Sequence, residues 1–151
     1  MAEQEDYARQ HLLGSTGVPH YHGDLVRQVF MIASAAMLLG LPFYGDSLRL
    51  ELPFVLVGGL VLIALAALTN PHAGTVMYAS AIASGVGLAI YQTWALFSYD
   101  ESTWTQFLLR EVVALLFLVA FYFSMKTVRA LIFHQIGKHE EAGEFDEPQA
   151  R

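Results

Sequence analysis

The sequence has no cysteine and few charged residues, and both features narrow what the chain can be. Without cysteine it forms no disulfide, no thiolate metal site and no cysteine nucleophile. Only 15% of its residues are charged, whereas about a quarter are charged in an ordinary soluble domain. The hydrophobic residues, 55% of the chain, are gathered into long runs, and such runs are typical of segments that cross lipid. We therefore expect an integral membrane protein.

Four apolar runs approach the roughly 20 residues that are needed to cross about 30 Å of hydrocarbon. The sequence predicts an all-α bundle of four transmembrane helices with short connectors. The predicted spans are at about residues 25–44, 52–68, 75–99 and 104–125, and the fourth continues as an amphipathic helix to about 138. A cleaved signal peptide is a weaker interpretation of the first run, because a long acid-rich segment precedes it.

The parts that flank the spans are polar. Residues 1–23 form a polar N-terminal segment, residues 24–134 the transmembrane domain, and residues 139–151 an acidic tail that we expect to be disordered. The acidic residues crowd into the ends and connectors, and the net charge is −6. This balance does not favour a nucleic-acid surface.

Several residues at the ends of the runs predict where helices begin. Asp24 is a candidate N-cap for the first helix, and Asn70 for the third. Pro53 fits the first turn of the second helix. Thr103 and Gln106 have the spacing of a capping box at the start of the fourth.

The distribution of lysine and arginine predicts the orientation. One side of the membrane would hold both termini and most of the basic residues: Arg9, Arg27, Lys126, Arg129, Lys138 and Arg151. The other side would hold only Arg49 and Arg110. The positive-inside rule then places both termini in the cytoplasm. The compact connectors suggest a prokaryotic inner membrane.

The predicted interfacial charges are Arg27, Arg110, Glu111, Lys126 and Arg129. No ionisable residue is predicted near the middle of a span, where one would point to proton or ion transport. For Arg110 we expect a side chain that reaches out to the lipid phosphates, and for Glu111 a contact with a neighbouring helix end. The alternative is that the two form a charge pair in an outer vestibule.

The histidines predict a possible metal site. All six are expected on the cytoplasmic side, and four of them could converge at that face: His20, His22, His72 and His134. Together with Asp24 they could bind zinc or another divalent metal. No His-Glu-x-x-His motif is present, so the alternative is that these histidines lie at the headgroup surface.

The third span has a polar face and a row of small residues. Ser80, Ser84, Tyr91 and Gln92 could line a polar groove or a pore. The row of Ala81, Gly85 and Ala89 instead favours close helix packing. The fourth span has large apolar residues on nearly every side, so we expect it to face lipid or another copy of the chain.

Three hypotheses about function remain open. The first is a structural, assembly or accessory subunit that forms a homo-oligomer or binds another membrane protein. The second is a small channel or transporter that uses the polar face of the third helix. The third is a membrane protein that binds a divalent metal at its cytoplasmic face. The sequence contains no nucleotide-binding loop and no recognisable catalytic motif, so we name no catalytic residue and no other cofactor.

Overall fold

Four helices account for most of the chain. The computed structural model describes residues 21–44, 48–70 and 73–133. The helices are α1 (Gly23–Gly40), α2 (Leu48–Leu68), α3 (Gly74–Phe97) and α4 (Trp104–Ile132), and a 3₁₀ turn at Leu41–Phe43 continues α1. The described residues include no strand.

All four helices are long and apolar enough to cross a bilayer, with the 3₁₀ turn counted as part of the first. The predicted all-helical architecture with four membrane-crossing helices is therefore confirmed at this level. In hydrocarbon only a helix pairs all its backbone groups within one segment, which explains why long apolar runs adopt this conformation.

Of the four predicted signals for helix starts, the capping box at Thr103 was right and the other three were wrong. The Thr103 hydroxyl accepts a hydrogen bond from the Gln106 amide at 3.4 Å, and the Gln106 side chain accepts one from the Thr103 amide at 3.0 Å. This confirms the capping box. Asp24 is not the N-cap of α1, because His22 takes that position and Asp24 lies in the first turn. A carboxylate there still favours the helix dipole.

The third helix also begins later than a cap at Asn70 would allow. Its N-cap is Ala73, whose amide donates to the Asn70 carbonyl at 3.0 Å. Asn70 therefore contacts the N-cap residue through its backbone carbonyl.

The second helix begins at Leu48, four residues before the predicted start at residue 52. Pro53 thus lies inside the helix and not in its first turn as predicted. Glu51, which lies just outside the predicted span, belongs to the first turn of the helix and is buried. The fourth helix continues past residue 125 and ends at Ile132, and the last part of its predicted extension, residues 134–138, lies outside the described part of the chain.

The four helices pack unequally. Helix α1 packs against α2 and α4, and α4 packs against α3, whereas α2 and α3 touch only sparsely. The bundle is therefore open between α2 and α3. Helix α4, which we expected to face lipid or another copy of the chain, also has a buried face that forms the centre of the bundle: Val113, Ala114, Phe117 and Ala120.

Small residues allow these close contacts within the chain itself. A Cβ atom added at Gly87 of α3 would overlap the Phe117 ring of α4. Gly59 of α2 lies so close to α1 that an added Cβ would be 3.3 Å from the Ser34 hydroxyl. The apolar core contains buried residues from all four helices.

Candidate functional site

A buried ion pair joins α2 and α4 near one end of the bundle. Nη2 of Arg110 lies 2.5 Å from Oε1 of Glu51, and the two residues are 2% and 4% exposed. Nη1 of Arg110 donates to the Ser102 hydroxyl at 2.7 Å, and the guanidinium lies 5.4 Å from the centre of the Tyr44 ring. We call these four residues the Arg110 cluster. It connects α2 and α4 to the segments that end α1 and precede α4.

The prediction that Arg110 reaches out to lipid phosphates is wrong. The side chain turns inward because Glu51, on the first turn of α2, offers it a carboxylate inside the bundle. A charge in an apolar interior persists only when it is paired and hydrogen-bonded. The predicted vestibule pair with Glu111 is also wrong, since Arg110 uses Glu51 instead. The one sequence signal for the pair was that Glu51 and Arg110, which have opposite charges, lie close to the starts of two predicted spans on the same side of the membrane.

A second polar contact joins α3 and α4. Nε2 of Gln92 donates to Oε1 of Glu111 at 3.1 Å, and both residues are half-buried. Glu111 therefore contacts the neighbouring helix well before that helix ends at Phe97. A third contact, from Nε2 of Gln106 to the Phe43 carbonyl at 2.7 Å, joins α4 to the 3₁₀ turn.

The polar face of α3 points into the bundle. Ser80 and Ser84 are fully buried, and Tyr91 is 4% exposed. The Ser84 hydroxyl donates to the Ser80 carbonyl at 2.6 Å, so it is satisfied within its own helix. The Tyr91 ring packs 5.8 Å from those of Phe117 and Trp94. Gln92 lies apart from these three, beside α4. Whether this face lines a groove or a pore stays a prediction.

Two buried hydroxyls on this face make no hydrogen bond to the described residues. They belong to Ser80 and Tyr91. Tyr91 is also close enough to Glu51 and Arg110 to interact with their charges. An apolar interior penalises such unsatisfied groups, so these two hydroxyls cost the bundle some stability.

An apolar crevice of about 230 Å³ lies between α2 and α3, where the two helices diverge. Its walls include Phe54, Gly58 and Val61 of α2 and Ala83, Val86 and Gly87 of α3. Met37 of α1 and Phe117 of α4 close it from inside the bundle, and Tyr91 also lines it. A second, more open hollow lies alongside, between Phe54 and Trp94. The sequence analysis missed this crevice, because the sequence does not indicate which helix pairs stay apart.

At the other end of the bundle, His22 holds the start of α1 against α4. Its amide donates to the Thr127 hydroxyl at 3.2 Å, and its ring stacks on Phe123 at 5.6 Å. Nearby, burial and the Asp24 carboxylate raise the pKa of the Tyr21 phenol, so this group stays neutral at physiological pH.

The metal prediction rests mainly on residues outside the described ranges: His20, His72 and His134. Within residues 21–44, 48–70 and 73–133, no three His, Asp or Glu side chains are grouped closely enough to hold a metal ion. His22 is the only member of the predicted set that the structure describes, so a divalent metal site stays a prediction. The predicted interfacial residues Arg27, Lys126 and Arg129 are exposed.

Comparison of the chain with protein-family models, with curated proteins and with solved structures found no match.

Proposed function

We propose that this chain is a structural or accessory subunit of a membrane assembly, without catalytic activity of its own. The observation that carries the proposal is how the embedded polar side chains are used. Arg110 pairs with Glu51, and Gln92 binds Glu111, so each contact joins two helices of the bundle. A transporter needs an embedded charge that can change its partner or its protonation state, whereas these groups fix the helices relative to one another.

The outer surface supports association within the membrane. Large apolar side chains are exposed on every helix, among them Leu39 of α1, Leu60 of α2, Ile82 of α3 and Leu115 of α4. In lipid such a belt contacts acyl chains or the helices of other proteins. We therefore propose the bilayer and either a second copy of the chain or another membrane protein as partners.

We propose a prokaryotic inner membrane, with both termini in the cytoplasm. At the end of the bundle near the start of α1, Arg27, Lys126 and Arg129 are exposed. At the opposite end Arg49 is exposed, but Arg110 is buried and paired with a carboxylate. Among the described residues, three exposed basic side chains thus lie at the first end and one at the second, and the positive-inside rule places the more basic end in the cytoplasm.

Native mass spectrometry of the solubilised complex, combined with site-specific crosslinking, tests the proposal. A photoreactive residue is placed in turn at Leu39, Leu60, Ile82 and Leu115, one position on each helix. We expect a complex of fixed stoichiometry, with crosslinks to one polypeptide concentrated on one or two helices. Crosslinks to lipid alone at all four positions, together with a monomeric mass, would contradict an accessory role.

Solute flux provides an independent check on the channel hypothesis. We expect liposomes containing the purified chain to be no leakier than empty liposomes. Flux that disappears in a Ser84→Leu variant, but persists in a variant of an exposed residue such as Ile82→Leu, would instead support a pore along the polar face of α3.

A further inference from the structure

Glu111 of α4 carries a carboxylate that no positive charge neutralises in the described part of the chain. Its hydrogen-bond donor is the side-chain amide of Gln92, which is neutral. Arg110 precedes Glu111 in the sequence, but its guanidinium is already paired with Glu51. Two carboxylates and one guanidinium therefore lie in this part of the bundle, and the excess negative charge is that of Glu111.

The length of α4 gives the depth of Glu111 in the membrane. The helix has 29 residues, so at about 1.5 Å per residue it is longer than the roughly 30 Å of hydrocarbon. With the exposed Lys126 at the inner boundary, the outer boundary falls about 20 residues earlier, near Gln106. Glu111 then lies about 8 Å inside the hydrocarbon. A glutamate side chain is shorter than the lysine and arginine side chains that reach headgroups from within a bilayer, so it stays at this depth.

The carboxylate is accessible from outside the bundle. Glu111 and Gln92 are both half-buried, and Oε2 of Glu111 is neither hydrogen-bonded to the described residues nor enclosed by them. Leu108 and Leu115 are exposed one turn before and one turn after Glu111, and Leu96 is exposed one turn after Gln92. We call these five residues the Glu111 face. It presents one carboxylate in the middle of an apolar surface.

Only a protein helix can neutralise this carboxylate at its depth. A charge inside the bilayer is costly, and embedded ionisable side chains almost always pair with one another or face water. On the outer surface of a bundle the neighbours are acyl chains or the helices of other proteins. The headgroups of lipids lie farther out, so the cation has to come from a helix.

A second copy of the chain does not supply that cation. The described basic residues near the outer end are Arg110, which is engaged in the buried ion pair, and Arg49 at the start of α2. The rings of Phe54 and Trp94 lie 5.5 Å apart and fix the level of α2 against α3. Counting along the helices from this contact puts Arg49 about 10 Å nearer the outer surface than Glu111. Headgroups and water solvate Arg49 at that level.

We propose that the Glu111 face docks a transmembrane helix of a different membrane protein, and that a lysine or arginine of this helix pairs with the Glu111 carboxylate inside the bilayer. Gln92 binds Oε1 and so positions the carboxylate, which leaves Oε2 for the cation. The exposed leucines around it pack against the partner helix. This docking rests on the accessory role proposed above and specifies the surface and the charge of the partner.

Photocrosslinking in the native membrane tests the surface. A photoreactive residue at Leu115 lies in the Glu111 face, and one at Leu39 lies at an exposed position of α1. We expect Leu115 to crosslink to one foreign polypeptide and Leu39 to crosslink to lipid.

Two matched substitutions test the charge. Glu111→Gln keeps the size of the side chain and a hydrogen bond to Gln92, but it removes the charge. It should lower the amount of crosslinked complex at Leu115 about tenfold, which is the loss expected for one polar contact between helices in a membrane. Glu101→Gln removes an exposed carboxylate at the same end of the bundle and should change nothing.

A charge exchange distinguishes a lost ion pair from a weakened fold. Mass spectrometry of the crosslinked peptide identifies the partner segment, which should contain a lysine or arginine within about two helical turns of the crosslinked residue. Glu111→Lys should abolish the complex, and replacing the basic residue of the partner by glutamate should restore it. Failure of this exchange to restore the complex would overturn the ion pair.

The remaining outcomes separate this docking from the accessory role. An undiminished complex in Glu111→Gln, or a crosslinked segment without lysine or arginine, would overturn the docking through a charge. Crosslinks from Leu115 to a second copy would assign the surface to a homo-oligomer instead. A complex of fixed stoichiometry that crosslinks through Leu39 and not through Leu115 would refute the Glu111 face but keep the accessory role. A monomeric mass with crosslinks to lipid alone would refute both.

Discussion

Removing one partner of the buried ion pair should destabilise the bundle strongly. Arg110→Met leaves the Glu51 carboxylate buried without the guanidinium, and Glu51→Leu leaves the guanidinium buried without the carboxylate that neutralises it. Each charge is at most 4% exposed, so water cannot replace the lost partner. Breaking a buried pair in this way costs about 3–5 kcal/mol, and we expect each single variant to lose roughly that much free energy of unfolding.

The double variant should recover most of the loss. Glu51→Leu with Arg110→Met leaves no unpaired charge, and apolar replacements of similar volume are often neutral or stabilising by about 1–4 kcal/mol. Unfolding in mixed micelles with increasing amounts of a denaturing detergent gives the four free energies of a double-mutant cycle. As controls, Arg49→Met and Glu101→Leu remove exposed charges near the same end and should change stability by about 0.5 kcal/mol or less.

Two results would refute this reasoning. One is an Arg110→Met variant that is as stable as Arg49→Met, since another group would then have to stabilise the buried Glu51 carboxylate. The other is strict additivity in the double variant, because independent losses would mean that Glu51 and Arg110 do not stabilise each other.

Three further predictions concern the packing of individual helices. Gly87→Ala should destabilise the chain by about 1–3 kcal/mol, because the new Cβ meets a buried phenylalanine ring; Gly74→Ala meets nothing closer than 3.7 Å, and an equal loss in both variants in the same unfolding assay would exclude the steric explanation. Thr127→Val removes the acceptor of the His22 amide, so it should speed hydrogen exchange at that amide and lower the free energy of unfolding by about 1 kcal/mol. As a control, Thr69→Val removes a hydroxyl that donates to the Leu65 carbonyl of α2, and it should leave the His22 amide protected. Gln106→Glu keeps a side-chain acceptor for the Thr103 amide but loses the donor to the Phe43 carbonyl, so it should be less stable than wild type. Hydrogen exchange of the first-turn amides of α4 should nevertheless be slower in Gln106→Glu than in Gln106→Ala. Identical exchange in the two variants would argue against the capping box.

Features that depend on local sequence could be predicted. The four helices follow from run length and hydropathy, because hydrocarbon leaves a long apolar segment no other way to pair its backbone groups. The capping box depends only on the side chains of Thr103 and Gln106, three residues apart, so it could be predicted without knowing which helices pack together. Asp24 and Asn70 were wrong as caps because the helices begin at positions set by packing, which the local residues do not reveal.

Features that depend on which helices meet could not be predicted. The side chain of Arg110 has the length to reach lipid phosphates, and only the position of Glu51 on a neighbouring helix turns it inward. For α4 the near-uniform hydrophobicity concealed the buried face, although small residues such as Ala114 and Ala120 mark it. The α2–α3 crevice is a further consequence of helix arrangement, since the walls of such a space look like any other apolar residues.

The topology of the chain tests the account most directly. Because the sequence contains no cysteine, single-cysteine variants can be labelled with a membrane-impermeant maleimide without background. Our account predicts that Glu101→Cys, between α3 and α4, reacts in intact cells, and that Asn70→Cys, between α2 and α3, reacts only after the membrane is opened. Labelling of both positions from the same side would show that α3 does not cross the bilayer and would contradict the four-span account.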